Sequence, residues 1–325
     1  MVIDKSLVKR ILVITLSNAG DIILTTPVIR TLAREFPESR IDIMVGPAGK
    51  EIFEHDPRIF KVIIYDKRLP ITEKRRLQIK LKKLKYDLVI DLRNTIFPLL
   101  IGPRFRTATI QHFPGSVVHR KDRHMYRLKS LGIGNTGELS YIYIPPEEDE
   151  MVRKLLERAG ILSPVVVVNP GSKSHIKRWT AEGFAAVCDR LIDECHAAIV
   201  FTGSSEDAEV VEKVSFRMKH KPFNLVNKTN LRQLASLIKR SDLLITNDSA
   251  PLHIGCAVGA KVLALFGPTD PKKYGPTGEF DIVINKKLFC SPCENAECRY
   301  NHECMKLITP EEVFDAAKIM IEGYE

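Results

Sequence analysis

Leu243-Leu244-Ile245-Thr246-Asn247-Asp248-Ser249-Ala250-Pro251-Leu252-His253-Ile254-Gly255-Cys256-Ala257 is the stretch that decides the fold class. Its first residues form a short apolar run of strand character, a tight polar turn follows, and a helix of small and apolar residues begins at once. A strand leading directly into a helix is the repeating unit of parallel α/β architecture. The turn also sets Asp248 and Ser249 beside a helix N-terminus, where backbone amides and the helix dipole favour an anion such as phosphate. Asp, Ser and His so close together would suit a hydrolase, but the nucleophile elbow requires Gly-x-Ser-x-Gly, which is absent. His253 reads equally as a core histidine with its hydrogen bonds met.

The same alternation extends in both directions. In the first half, strands are expected near Ile11-Leu16, Ile41-Val45, Val62-Tyr65, Leu88-Asp91 and Ala108-Ile110. In the second half they are expected at Val165-Asn169, Ala198-Thr202, Asn224-Val226, Leu243-Thr246 and Val262-Phe266, with amphipathic helices such as Phe184-Cys195 and Leu231-Ile238 between them. The pattern restarts near Val165, after the proline- and acid-rich Ile142-Asp149 and a helical Met151-Ala159. A final helix from Pro310 to Ile321 has Thr309 as its N-cap. The 325 residues suit two domains of about 150 each. The expected division is 1–160, 161–308 and a C-terminal helical segment, 309–325.

Composition narrows the class without naming a function. Hydrophobic residues at 44% and charged residues at 27% describe a packed globular chain, which argues against wholesale disorder. Forty-nine Lys and Arg against 40 Asp and Glu give a net charge of +9, which favours anionic partners. Much of the excess lies between Lys61 and Lys85 and between Arg104 and Lys129. No nucleic acid is expected as a partner, because no reading motif and no interleaved aromatics accompany these charges. No stretch approaches the ~18 apolar residues of a membrane span, and no leader pattern is evident, so a cytoplasmic protein is expected. Seven cysteines, an odd number, argue against a disulfide framework.

Ligands of open α/β sheets bind beyond the carboxyl ends of strands, so the loops there carry the candidate chemistry. Ser17-Asn18-Ala19-Gly20-Asp21 follows the first strand, and Asp21 reads either as a helix cap or as a general base for an acceptor hydroxyl. Asn169-Pro170-Gly171-Ser172-Lys173-Ser174-His175-Ile176-Lys177-Arg178-Trp179 is polar, basic and glycine-containing, suited to a pyrophosphate, or else a solvated turn. It is not a Walker A loop, since the Gly-Lys-Ser/Thr ending is missing. Trp179, the only tryptophan, reads as a packing anchor. Gly203-Ser204-Ser205-Glu206-Asp207 offers a carboxylate to ribose hydroxyls or to a helix end. Gly267-Pro268-Thr269 and Tyr274-Gly275-Pro276 shape the loop beyond another strand.

In order and spacing these segments resemble glycosyltransferase family 9, the ADP-heptose:lipopolysaccharide heptosyltransferases. The resemblance runs from Asn18-Ala19-Gly20-Asp21 and Thr25-Thr26-Pro27 through Tyr86-Asp87-Leu88-Val89-Ile90-Asp91-Leu92, Pro170-Gly171-Ser172 and Lys177-Arg178-Trp179. It continues through Asn247-Asp248-Ser249-Ala250-Pro251-Leu252-His253 and Phe266-Gly267-Pro268-Thr269 to the late cysteines. It implies a GT-B fold, two Rossmann-like domains facing across a cleft, with the final helix packing back toward the first domain. It implies inverting, metal-independent transfer from a nucleotide-sugar donor, ADP-heptose, to an anionic lipid-linked saccharide at the cytoplasmic face of the inner membrane, with peripheral membrane association. Asp21 then matches the base, and Ser172, Lys173 and Lys177 match the donor-phosphate loop. Asp248, Ser249, Ala250 and His253 match the donor turn, Glu206 a ribose contact and Thr229 the adenine side. Glycine is common in the family where this chain has Ala250: a glycine needed for positive φ would leave the turn altered here, whereas ordinary angles leave it intact.

Arg93, Arg104, Arg106, Arg120 and Arg123 are the candidates for the anionic acceptor, and the Lys74 to Lys85 segment reads as a solvated helix face or a membrane-surface contact. Cys290, Cys293, Cys298 and Cys304, with His302 among them, are candidate ligands of a structural zinc, or else packed thiols or a labile disulfide. Rival functions are a catalytically silent nucleotide-sugar module and a hexosyltransferase using another donor.

Overall fold

The computed structural model describes residues 3–134 and 139–323. The chain divides into two compact units, Met1–Tyr143 and Ile144–Glu325. The first is built on five parallel strands: β1 (Arg10–Ile14), β2 (Arg40–Val45), β3 (Lys61–Ile64), β4 (Leu88–Asp91) and β5 (Phe105–Arg106), in the order β3-β2-β1-β4-β5. The second has six, also parallel: β6 (Val165–Asn169), β7 (Ala198–Phe201), β8 (Phe223–Asn224), β9 (Leu243–Asn247), β10 (Val262–Phe266) and β11 (Ile282–Asn285), in the order β11-β10-β9-β6-β7-β8. All residues of β6, β9 and β10 are buried, because helices cover both faces of a parallel sheet.

In each sheet the strand order runs outward in both directions from an internal pair, β1 and β4 in the first, β6 and β9 in the second. This is the switch point of a doubly wound sheet, where connections leave to opposite faces and a crevice opens at the carboxyl ends. The loops singled out from the sequence leave β1, β6 and β9.

The unit boundary differs from the expected one by some 17 residues (143 against 160). The helix Pro146–Arg158 was expected to close the first domain, yet its acidic first turn belongs to the second. Glu148 accepts a 2.6 Å bond from Arg232 Nε, and Asp149 accepts from Ser236 Oγ and Arg240 Nη2, both at 2.6 Å, all on the helix Leu231–Arg240. The final helix, Pro310–Glu322, starts with the expected Thr309 cap, completed by Glu312. Within the second unit, Val313, Phe314, Ala317 and Met320 join the core around Phe184, Leu191 and Phe201, and Arg190 of the helix Ala181–Cys195 lies 3.6 Å from the Phe314 ring centroid. Two strands also depart from expectation. β5 comes before Ala108-Ile110, and β11 carries no clear alternation. No helix among the described residues is long and apolar enough to cross a membrane.

Candidate active site

β6 and β9 are hydrogen-bonded neighbours, so the loop after Asn169 and the turn after Thr246 leave the sheet side by side. Asn247 ties them together. Its Oδ1 accepts from Trp179 N at 3.0 Å and its Nδ2 donates to Pro170 O at 2.8 Å, with the side chain fully buried. Trp179 is the packing anchor that the sequence indicated: its indole donates to Ile308 O at 3.0 Å and meets Phe184 edge-on. Gly171 lets the neighbouring β7 loop close in, since a Cβ there would collide with the Asp207 carboxylate, itself held by Ser204 N and Oγ in a capping box.

At the centre, Lys177 Nζ donates to Asp248 Oδ2 at 2.7 Å, and Thr269 Oγ1 from the loop after β10 donates to the same oxygen at 2.6 Å. Asp248 is buried and Lys177 half-buried. Paired in this way, Asp248 holds the Lys177 ammonium on one short bond, which occupies one of its three N–H donors. Ser249 is the N-cap of the helix Ala250–Val258 but its hydroxyl does not cap it, lying instead 3.2 Å from Thr246 Oγ1. Ala250 is the first helical residue and is not among the positive-φ positions, so the glycine-to-alanine departure leaves the turn intact. His253 is buried one turn on.

Ser172 is buried and its carbonyl accepts from Arg178 Nε at 2.8 Å, whereas Lys173 is exposed. Glu206 is exposed in the single 3-10 turn after β7, and Thr229 is half-buried beyond β8, just before the Asn230 cap. The residues that the resemblance assigns to the donor thus lie on the loops and helix starts that follow β6, β7, β8 and β9, at the carboxyl edge of the second sheet.

In the first unit Asp21 lies in the opening turn of the helix Ala19–Ile23, half-buried, with Asn18 Nδ2 donating to its Oδ2 at 3.1 Å. The turn is anchored beneath by Thr15 and Thr25, whose hydroxyls are 2.7 Å apart, and Gly46 gives Ser17 room to pack. Beside it, at the end of β4, Asp91 accepts from Arg93 N at 2.8 Å and from Thr95 N at 2.6 Å. Arg93 extends over the Tyr65 ring. Arg120 and Arg123 open the helix Arg120–Lys129, where Arg123 Nε donates to Val117 O at 3.1 Å.

That helix is docked by a residue the sequence did not distinguish. Buried Arg127 donates to Asp91 O at 3.3 Å and to Asn94 Oδ1 at 2.6 Å. Arg106 stands exposed on β5, opposite Val89. Arg104 precedes Phe105, which pairs with Leu88 at the start of β4, so it occupies the amino end of the sheet; there the hydrogen bonds from Ser6 lower the Asp4 carboxyl pKa and the Arg104 charge adds to that lowering.

His124, on the same helix, is buried with no partner for Nδ1, and burial together with the charges of Arg127 and Arg120 lowers its pKa to about 3. Because the folded value lies below the unfolded one, this neutral imidazole stabilises the fold above pH ~6.5. The stability it contributes declines as pH falls toward 3, with a slope on the order of 1.4 kcal/mol per pH unit. Urea melts of the wild type and His124→Gln between pH 7 and pH 4 are expected to diverge in slope, the variant being the flatter; parallel slopes would contradict the assignment.

The four cysteines come together. Cys290, Cys293, Cys298 and Cys304 line one cavity of about 40 Å³ with Ile176, Pro268 and His302, and burial with the neighbouring thiols raises the Cys304 pKa to about 11. Among the described residues no three His, Cys, Asp or Glu side chains are arranged to hold a metal ion. The segment braces the Thr269 loop: Ser291 Oγ donates to Gly267 O at 2.5 Å and Glu294 N to Pro268 O at 2.8 Å.

With this geometry in view, a family profile described as "Glycosyltransferase family 9 (heptosyltransferase)" matches residues 136–303, just over half of the chain. The chain belongs to this family. As a family 9 member it is a glycosyltransferase, and its α/β architecture is the GT-B class shared with its structural neighbours. Lipopolysaccharide heptosyltransferase 3 of Escherichia coli is 28% identical over 276 residues, covering 77% of this chain and 81% of the relative. A family 9 glycosyl transferase from Veillonella parvula superposes with a TM-score of 0.84 at 28% identity, covering 97% of each chain. The E. coli ADP-heptose lps heptosyltransferase II does so with a TM-score of 0.79 at 22% identity, covering 96% of this chain and 98% of that one. In this family 9 chain, the matched segment includes the loops after β6 and β9 and Cys290, Cys293 and Cys298, and ends one residue before Cys304.

Proposed function

We propose that this protein is an inverting heptosyltransferase that moves heptose from ADP-heptose to a lipopolysaccharide-core-type saccharide, working peripherally at the cytoplasmic face of the inner membrane. The observation that carries the reading is the Lys177–Asp248–Thr269 cluster at the switch point of the second sheet. There a fixed ammonium and the amides of the helix Ala250–Val258 meet the diphosphate, with Ser172, Lys173 and Ser249 as further phosphate donors. Glu206 and Thr229, on the loops after β7 and β8, take the ribose and adenine sides.

In the first unit Asp21 serves as general base. The acceptor hydroxyl attacks the anomeric carbon opposite the diphosphate, Asp21 Oδ1 takes its proton, and the bond to the diphosphate breaks to release ADP with inversion. Lys177 and the helix amides receive the charge that develops on the leaving group, so no metal is required in this reading. Arg93, Arg120 and Arg123 face the anionic acceptor. The relatives' names, which specify lipopolysaccharide heptosyltransfer and ADP-heptose, support the choice of donor and acceptor class.

The test is a panel of ADP-, UDP- and GDP-sugars scored by thermal shift, then by mass spectrometry of a lipid A-core acceptor. ADP-heptose is expected to stabilise the protein, by about 2.7 kcal/mol at a hundredfold excess over Kd, and to add one heptose to the acceptor. Stabilisation by UDP- or GDP-sugars alone, or transfer of a hexose, would replace this reading with another donor.

A further inference from the structure

We infer that the outer surface of two packed helices in the first unit is a docking face for an anionic lipid bilayer. The helices are Ile71–Lys83 and Phe97–Ile101, which share one core with β1 and β4 through Leu81, Phe97 and Ile101. Phe97, Pro98 and Ile101 turn inward, and this anchoring forces the remaining apolar side chains out: Ile96 is 62% exposed, Leu99 53% and Leu100 37%, with Ile79 47% exposed on the longer helix. Scattered single apolar residues on a surface need no partner, but adjacent ones on a short helix mark an interaction site.

The chemistry of the surroundings selects the occupant. The longer helix carries Lys74, Arg75, Arg76, Lys80, Lys82 and Lys83 against the single acid Glu73, which pairs with Arg76. Exposed leucine and isoleucine beside a dense row of cations complement a leaflet of anionic headgroups over acyl chains. A folded protein partner would demand shape and hydrogen-bond complementarity, which a row of long flexible lysines does not offer.

Position adds a functional argument. The helix Phe97–Ile101 follows the loop leaving the carboxyl end of β4, and Leu92 N bonds Ile14 O at the end of β1, from which the Asp21 loop departs. The docking face therefore flanks the sheet edge that bears Asp21. This significance rests on the reading of the acceptor as lipid-linked: a saccharide whose lipid stays in the bilayer reaches Asp21 without being extracted.

Co-sedimentation of the full chain with phosphatidylcholine vesicles, with and without phosphatidylglycerol, tests the inference. Wild type is expected to bind the anionic vesicles and to be released as salt screens the attraction. The double variant Leu99→Asp/Leu100→Asp should lose roughly tenfold or more in partitioning. The triple variant Arg75→Glu/Lys80→Glu/Lys83→Glu should lose about a hundredfold or more, at about fivefold per charge. Phe216→Asp, at a still more exposed apolar position in the second unit, should bind as wild type does.

Failure of wild type to bind, or unchanged binding by both multiple variants, would overturn the docking face. Transfer to a delipidated, soluble core acceptor is scored in parallel. Its loss in wild type would count against the proposed function alone, whereas its retention in Leu99→Asp/Leu100→Asp with vesicle binding lost is the result expected here.

Discussion

Asp21→Ala is expected to lower kcat about 10²–10⁴-fold, the range associated with removal of a positioned general base. Donor affinity should be unchanged, because every residue placed on the donor belongs to the second unit. The basis is local. Asn18 occupies Oδ2, the Thr15–Thr25 pair fixes the turn beneath, and the carboxylate opens the helix Ala19–Ile23 at the end of β1. Asp21→Asn keeps the shape and the Asn18 contact but accepts no proton at the amide nitrogen, so it should be as slow as alanine. ADP titration by calorimetry alongside initial rates separates binding from chemistry. Turnover within a few-fold of wild type in both variants would remove Asp21 from the mechanism.

The second large effect is expected at Lys177. Lys177→Ala removes the ammonium assigned to the leaving diphosphate, and loss of one such preorganised group costs about 10²–10³ in kcat. A second consequence follows from the geometry. Asp248 is buried and shares one oxygen between Lys177 and Thr269, so deleting the lysine leaves a buried carboxylate with only a hydroxyl donor at that oxygen. The variant should therefore melt at a lower temperature as well as react slowly, and adding Asp248→Asn should recover stability without recovering rate. Lys177→Arg keeps the charge but changes a compact ammonium into a planar fork, so partial activity is expected. If Lys177→Ala were as stable and as fast as wild type, the ion pair would be a surface contact without a catalytic part.

Much of this arrangement was legible in the sequence, and the reason differs by element. Val165–Asn169 and Val262–Phe266 were read with correct bounds because strands buried on both faces appear as unbroken apolar runs. Phe105–Arg106 and Ile282–Asn285 were not, since one has only two residues and the other is a partly buried edge strand. The loops proposed for the donor stand out because glycine, serine and lysine after a strand have few structural uses. What they do to one another could not. Lys177 and Thr269 meet on Asp248 from 71 and 21 residues away, and no local pattern encodes that convergence. Asn247 and Thr269 lay within quoted motifs but had been given no role. Arg127 had no signal at all, since on an arginine-rich helix only burial distinguishes it from Arg120 and Arg123.

The acidic start of the helix Pro146–Arg158 has one more consequence. Glu148 and Asp149 grip Arg232, Ser236 and Arg240, and Arg232 and Glu148 are themselves almost wholly buried. The second unit therefore carries its own forward latch, and a recombination at the apparent linker near residue 160 would sever it, depriving a buried guanidinium of the carboxylate that faces it. A crossover at the 143/144 boundary would keep the latch whole. The exchangeable piece of this chain begins at Ile144, and under the proposed function its replacement would alter donor choice while leaving acceptor recognition in place.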